Sequence, residues 1–351
     1  MCPIPTPRTA QAPEPASTPR RAPPMRRAYR PTARVTEQET APFVRIGHPQ
    51  CALESAAPGE LNLRPYYQDE GLLGAGQNTV IRQAVDLRLG RHVALKILRR
   101  EPAQSADLRA LFIREARLSA SIDHPGIATV LSAGVLPKLH HLPYQALRIV
   151  RGRTLAEEFR FAFRPDQDEA SIFRARTSIV LRVAKTIAHL HQHGVIHRDL
   201  HPANCMVSQF DEVVILDLGI VALSGVQPPS RGPNVITDPI DMFNEPPSPK
   251  LRFKAPEQLR GQQTGAFTDV YALGGLLFSA WAGLTDPTAT PFDLAQITHA
   301  PAEIRSLITA SLNPRWHTRP ATVRAFIHHL QQWMDQSSQA TPVEAQVIWS
   351  A

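Results

Sequence analysis

A chain of 351 residues is about twice the length of a typical domain, and a 43% hydrophobic, 20% charged composition is that of a globular fold, which excludes a stapled miniprotein. The formal charge of +7 sits mostly in residues 1–34, where seven arginines against Glu14 alone give +6, so the remainder nets +1 and lacks the basic face a specific nucleic-acid partner requires. Three cysteines, Cys2, Cys51 and Cys205, exclude a disulfide framework and a structural zinc site and point to a reducing, cytoplasmic setting.

Residues 1–60 hold 12 of the 33 prolines. Such a segment cannot bury enough apolar surface to offset its ordering entropy, so it reads as a disordered arm whose arginines suit an acidic partner. Residues 1–30 contain no apolar core of the kind a secretory signal uses. From Leu61 the runs "YQDEGLLGAG", "NTVIRQAVD" and "HVALKIL" are separated by turn residues and read as a small antiparallel sheet. A helix is expected over 106–122, with Leu108, Leu111, Phe112, Ser119 and Ile122 on one face and Glu115 among them. An inward carboxylate needs a cation, and Lys96, alternating with apolar neighbours in "VALK", is a strand lysine that needs an anion.

After Leu155 the pattern turns helical: Ile179, Val180, Val183, Ile187 and Leu190 mark a long helix that Gly194 can cap. "NCMV" and "VVILDLG" are strand candidates joined by "SQFDE". Asp269 opens an apolar helix whose longest apolar run, 272–284, has 13 residues, short of the roughly 20 a membrane span requires. Val323, Phe326, Leu330 and Trp333 stripe a last helix. His140, His141, His328 and His329 lack further ligands at metal spacing, and Cys205, following Asn204, reads as a small core residue.

The chemistry concentrates in a few motifs. Gly74 and Gly76 stand in a strand-turn-strand, where bare backbone can offer N–H groups to phosphate oxygens. Lys96, about twenty residues on, would pair with Glu115 and aim its ammonium at such phosphates. "VIHRDLHPANC" is followed by "VILDLG", with Asp217 thirteen residues after Asn204. With "HPGI", "VRGRTL", "APEQL", "TDVYALG" and "RP" in order behind them, these motifs resemble the protein kinase family, in particular the eukaryotic-like serine/threonine kinases of bacteria.

The resemblance implies a bilobal α+β kinase fold over residues 64–335: a small β-rich lobe at about 64–150 and a larger, mainly helical lobe at about 151–335, followed by a tail at 336–351. It implies ATP and Mg²⁺ as cofactors, a protein substrate, and transfer of the ATP γ-phosphoryl group to serine or threonine hydroxyls. On this chain it makes Asp199 the base, Asn204 and Asp217 the metal ligands, and Lys96 with Glu115 the phosphate-aligning pair. Gly74, Gly76, Ile81, Ala94, Ile149 and Val150 would line the nucleotide site, and Arg198 would answer to a phosphate on the activation segment. Glu257 and Arg319 would form a buried ion pair, and Asp269 would brace the catalytic-loop backbone.

The departures from the family pattern are specific. Thr79 replaces a phosphate-loop glycine, and Leu218 replaces the usual phenylalanine. His201 stands where a lysine usually neutralises the γ-phosphate. If His201 acts, its imidazole meets the phosphate as a hydrogen-bond donor or a cation, with its pKa raised there. "DLHPAN" also resembles the loop of aminoglycoside and choline kinases. The segment 217–257 carries eight prolines, and Pro249, Lys250 and Leu251 replace the stretch that usually supports the base. Ser224, Ser230, Thr237 and Ser248 are candidate phosphosites, and Lys250 and Lys254 suit an acidic substrate. The alternatives are therefore a pseudokinase that binds nucleotide or acts as a scaffold, and a small-molecule kinase.

Overall fold

A computed structural model describes residues 53, 56–59, 61–76, 78–160, 168–218, 222–223, 250–283 and 292–339. The first half builds a five-stranded antiparallel sheet: β1 (Tyr67–Ala75), β2 (Thr79–Asp86), β3 (Arg91–Leu98), β4 (Val130–Leu136) and β5 (Leu142–Arg148), in the order β1-β2-β3-β5-β4. The first three match the runs expected from the alternating pattern. β4 and β5 were not among those runs; in β5 (LPYQALR) every residue but the last is buried, so period-two alternation is absent. The helix α1 (Ala106–Ser121) packs on this sheet, capped by Ser105, whose Oγ accepts the Leu108 N–H at 3.3 Å.

The register puts the key residues in one rung: Gly74 faces Ile81, Ile81 faces Lys96, and Lys96 faces Gln145. Gln145, 2% exposed, donates through Nε2 to the Phe112 carbonyl at 2.9 Å and so docks α1 onto the sheet beside Lys96. Glu115 lies three residues beyond Phe112, on the same side of the helix.

Part of the stretch expected to be an arm belongs to this lobe. Leu53 is buried in the core with Leu63, Tyr67, Val80 and Leu95. The fully buried Arg82 forms a two-pronged ion pair with Asp69 (2.8 and 2.7 Å) and donates to the carbonyls of Leu53, Ala56 and Ala57 (2.9, 3.0 and 3.3 Å). Pro58 lies against Gly71, whose φ of +127° would strain any residue with a side chain and at which an added Cβ would lie 3.3 Å from Pro58 Cγ. A buried arginine must have its donors met, and chain before residue 60 meets them. Residues 1–52, which hold the arginine-rich part of the expected arm, lie outside the described residues.

The second half is mainly helical. Its core surrounds α3 (Glu169–Gln192) and α5 (Ala266–Ala282), where Val180, Val183, Ile187 and Leu190 meet Leu273, Leu276 and Leu277, with Phe326 and Leu330 of α7 (Val323–Gln339). Asp168 caps α3, and Gly194 at φ +72° follows its end. α4 (Pro256–Leu259) and α6 (Ala302–Ser311) complete the described helices with the single turn α2 (Leu155–Glu158). α7 continues past the expected boundary at 335. Small strands β6 (Gly152–Thr154), β8 (Cys205–Ser208) and β9 (Val213–Ile215) form a three-stranded sheet, while β7 (Val195–Ile196) pairs with β10 (Ala222–Leu223). Among the described residues, no helix is long and apolar enough to cross a membrane.

Candidate active site

Three side chains from separate elements meet where the two halves of the chain face each other. Lys96 Nζ lies 2.8 Å from Glu115 Oε1 and 2.8 Å from Asp217 Oδ2. Lys96 is 5% exposed, so its charge is compensated by these two carboxylates rather than by water. Burial works against the ammonium, but the charges of Asp217 and Glu115 win and hold its pKa above the usual lysine value. One cation between two carboxylates leaves a negative excess. Burial, aided by the Asp217 charge, pushes Glu115 up to about 8, while Asp217, although burial opposes it, is held well below the usual range by Lys96 and a hydrogen bond from Glu115. Of the two carboxylates, Asp217 holds its negative charge the more strongly.

Asp217 is placed by the turn after α1. Gly126 O accepts from Ile215 N at 2.8 Å and Ala128 N donates to Ile215 O at 2.9 Å, tying "HPGI" to the end of β9 two residues before Asp217. Leu218, 2% exposed, packs into the large core, so its replacement of phenylalanine keeps an apolar anchor. Leu216 N donates to the Asn204 carbonyl at 2.8 Å, which brings Asn204 beside this segment. The Asn204 amide nitrogen donates to the Asp199 carbonyl at 3.0 Å, which leaves the amide oxygen as its acceptor. A carboxylate held anionic and an amide oxygen form a donor set that fits a hard divalent cation such as Mg²⁺.

The loop that carries Asp199 is strained and held. Arg198 has φ +64°, unusual for a residue with a side chain. Asp269, fully buried, accepts the His197 and Arg198 backbone N–H groups at 2.9 and 2.8 Å and pairs with His191 Nε2 at 2.7 Å. The bracing expected of Asp269 is therefore in place. So is the buried pair beneath it: Arg319 meets both Glu257 oxygens at 2.7 and 2.9 Å, and Thr268 Oγ1 adds a bond to Glu257 at 3.1 Å.

Two side chains flank the Asp199 carboxylate, His201 and Lys254. His201 is 2% exposed, its Nε2 has no hydrogen-bond partner, and it stands 3.9 Å from Asp199 Oδ2. Burial pushes its pKa down to about 4, so the imidazole is neutral near pH 7. A different residue touches Asp199: Lys254 Nζ lies 2.6 Å from Oδ1 and also donates to the Arg198 carbonyl at 3.1 Å. Burial alone would raise the Asp199 pKa, but the Lys254 charge holds it well below the usual range. Lys254, read from the sequence as suited to an acidic substrate, sits against the loop that carries Asp199.

Of the residues expected to line the nucleotide site, Gly74, Ile81 and Lys96 share the rung described above, and Ala94 sits two residues from Lys96 on the same face of β3. Ile149 and Val150 follow β5 directly and are half-buried. Gly76 N donates to Thr79 O at 2.8 Å, and Arg99 donates through Nε and Nη2 to Gly76 O at 3.1 and 2.8 Å, a clamp on the glycine turn that no motif announced. Cys205 is fully buried, and burial pushes its thiol up to about 12, as suits a core residue. The candidate phosphosites Ser224, Ser230, Thr237 and Ser248 lie outside the described residues.

The protein kinase domain family matches residues 67–346, so this chain belongs to that family. Serine/threonine-protein kinase PknB of Mycolicibacterium smegmatis is 32% identical over 224 residues, covering 63% of this chain and 33% of that protein. Serine/threonine-protein kinase PknD of Chlamydia abortus is 27% identical over 300 residues, covering 79% of this chain and 32% of that protein. The chain thus spans about a third of the length of these curated relatives. In fold it resembles the crystal structure of the Mycobacterium tuberculosis PknI kinase domain, with a TM-score of 0.58 at 22% identity over 79% of this chain and 99% of that one.

Proposed function

We propose that this chain is an ATP- and Mg²⁺-dependent protein serine/threonine kinase that moves the γ-phosphoryl group to a protein hydroxyl. The observation that carries the proposal is the bridge from Lys96 to Glu115 and Asp217 at 2.8 Å each, which joins the small sheet, its helix and the turn after β9 into one charged site. Lys96 orients phosphate oxygens, and Glu115 keeps the ammonium from swinging away. Asp217 and Asn204 would hold Mg²⁺, which when bound neutralises phosphate charge. Asp199, on a loop whose backbone Asp269 fixes, orients the attacking hydroxyl and accepts its proton. Gly74, Gly76, Ile81, Ala94, Ile149 and Val150 line the nucleotide, so catalysis is chiefly positioning and charge neutralisation. The reading includes a cytoplasmic setting and an acidic partner for the arginines of residues 1–34.

The test is transfer from γ-labelled ATP to the chain itself, to a generic protein substrate and to small alcohols. Transfer to protein serine or threonine, abolished in Asp199→Asn while Mg·ATP binding persists, is the expected result. A pseudokinase gives no transfer anywhere, and a small-molecule kinase labels only the alcohols; either result refutes the proposal.

A further inference from the structure

Asp199 needs a cation beside it, and the neighbour two residues along does not provide one. His201 is neutral, buried and 3.9 Å away, too far for a hydrogen bond. Lys254 provides the charge from the other end of the activation segment. It follows the turn Leu251–Phe253, and its own N–H closes that turn on the Leu251 carbonyl at 3.1 Å. On the near side Phe253 is 4% exposed within the large core; on the far side the Ala255 N–H is held by Gln258 Oε1 at 3.0 Å. Gln258 Nε2 donates to the Arg198 carbonyl at 2.8 Å, the same oxygen that Lys254 Nζ approaches at 3.1 Å. The Glu257–Arg319 pair anchors this short helix from below.

We propose that Lys254 is the positioning residue of the catalytic base: it fixes the Asp199 carboxylate and supplies, from the residue before "APEQL", the positive charge that His201 withholds. The inference rests on the kinase reading above. Two features separate this contact from an ordinary surface ion pair, which contributes little. The side chains of Lys254 and Asp199 are only 21% and 27% exposed, and the backbone on both sides of Lys254 is tied down. The Lys254 charge is the foremost influence favouring the ionised Asp199, ahead of the charge of Lys250 nearby.

Because the role is exerted through Asp199, it should appear in kcat rather than in ATP affinity. In the full chain with Mg·ATP, Lys254→Ala should lower kcat about 100-fold, the scale of one lost charge-stabilising contact, with the KM for ATP within about threefold of wild type. Lys254→Arg should keep most of the activity. The decisive variant is His201→Lys in the Lys254→Ala background: a lysine at 201 starts where Nε2 is already 3.9 Å from Asp199 Oδ2 and can close that gap, so kcat should recover at least about tenfold. A merely structural lysine at 254 would not be replaced by a lysine placed elsewhere.

Wild-type kcat in Lys254→Ala, with Asp199→Asn inactive, overturns the inference and leaves the kinase reading intact. A folded double variant, judged by its melting transition, that stays as slow as Lys254→Ala overturns it too. If Lys254→Ala does not fold, the double variant and Lys254→Arg decide, and inactivity of both when folded is refuting. Absence of transfer in the wild type on every substrate refutes the kinase reading and this inference together.

Discussion

Two truncations test whether the chain just before residue 60 belongs to the fold. Removing residues 1–52 spares every described contact, whereas removing residues 1–60 takes away Leu53 and the carbonyls of Leu53, Ala56 and Ala57 from Arg82. Leu53 is 5% exposed, and losing a buried leucine side chain costs about 2 kcal/mol. The three carbonyl bonds, to a guanidinium with no exposed surface, are worth about 1 kcal/mol each once water takes their place. The longer deletion should therefore destabilise the protein by about 5 kcal/mol, which at about 2 °C per kcal/mol for a domain of this size lowers Tm by about 10 °C. Thermal unfolding followed by intrinsic fluorescence measures this, with the shorter deletion expected to match the full chain. Equal Tm for the two truncations would refute the argument that chain before residue 60 completes the small lobe.

Arg319→Met leaves Glu257 buried without its bidentate partner and should destabilise by about 3–5 kcal/mol, while adding Glu257→Met should recover part of that loss; urea midpoints measure both. A thiol with its pKa near 12 and no exposed surface is almost wholly protonated and shielded at pH 8, so in a Cys2→Ser/Cys51→Ser chain Cys205 should resist alkylation until the protein unfolds. Rapid labelling of the native protein would contradict both the burial and the pKa.

The parts of the site that were legible in the sequence are those in which a side chain's role follows from a short contiguous pattern. Asp199 and Asn204 lie on one loop, Asp217 follows one strand by two residues, and a strand lysine and an inward helix glutamate each demand a partner on grounds of burial alone. Gln145 was not legible, because nothing in a run buried at all but its last position distinguishes a glutamine that docks a helix from one that faces water. Leu53 was hidden for the opposite reason: its neighbours are proline- and alanine-rich, and its burial depends on Arg82, 29 residues later. Lys254 is the most instructive case. Two facts about it stood in the sequence, a missing lysine at 201 and a lysine immediately before "APEQL", 53 positions apart. Only the docking of Gln258 and Lys254 on one carbonyl of the catalytic loop turns those facts into a single one. A carboxylate largely shielded from water requires a nearby positive charge. That requirement fixes the charge but not its chain address, so a motif scan that finds a position empty should next ask which other element reaches the same carboxylate.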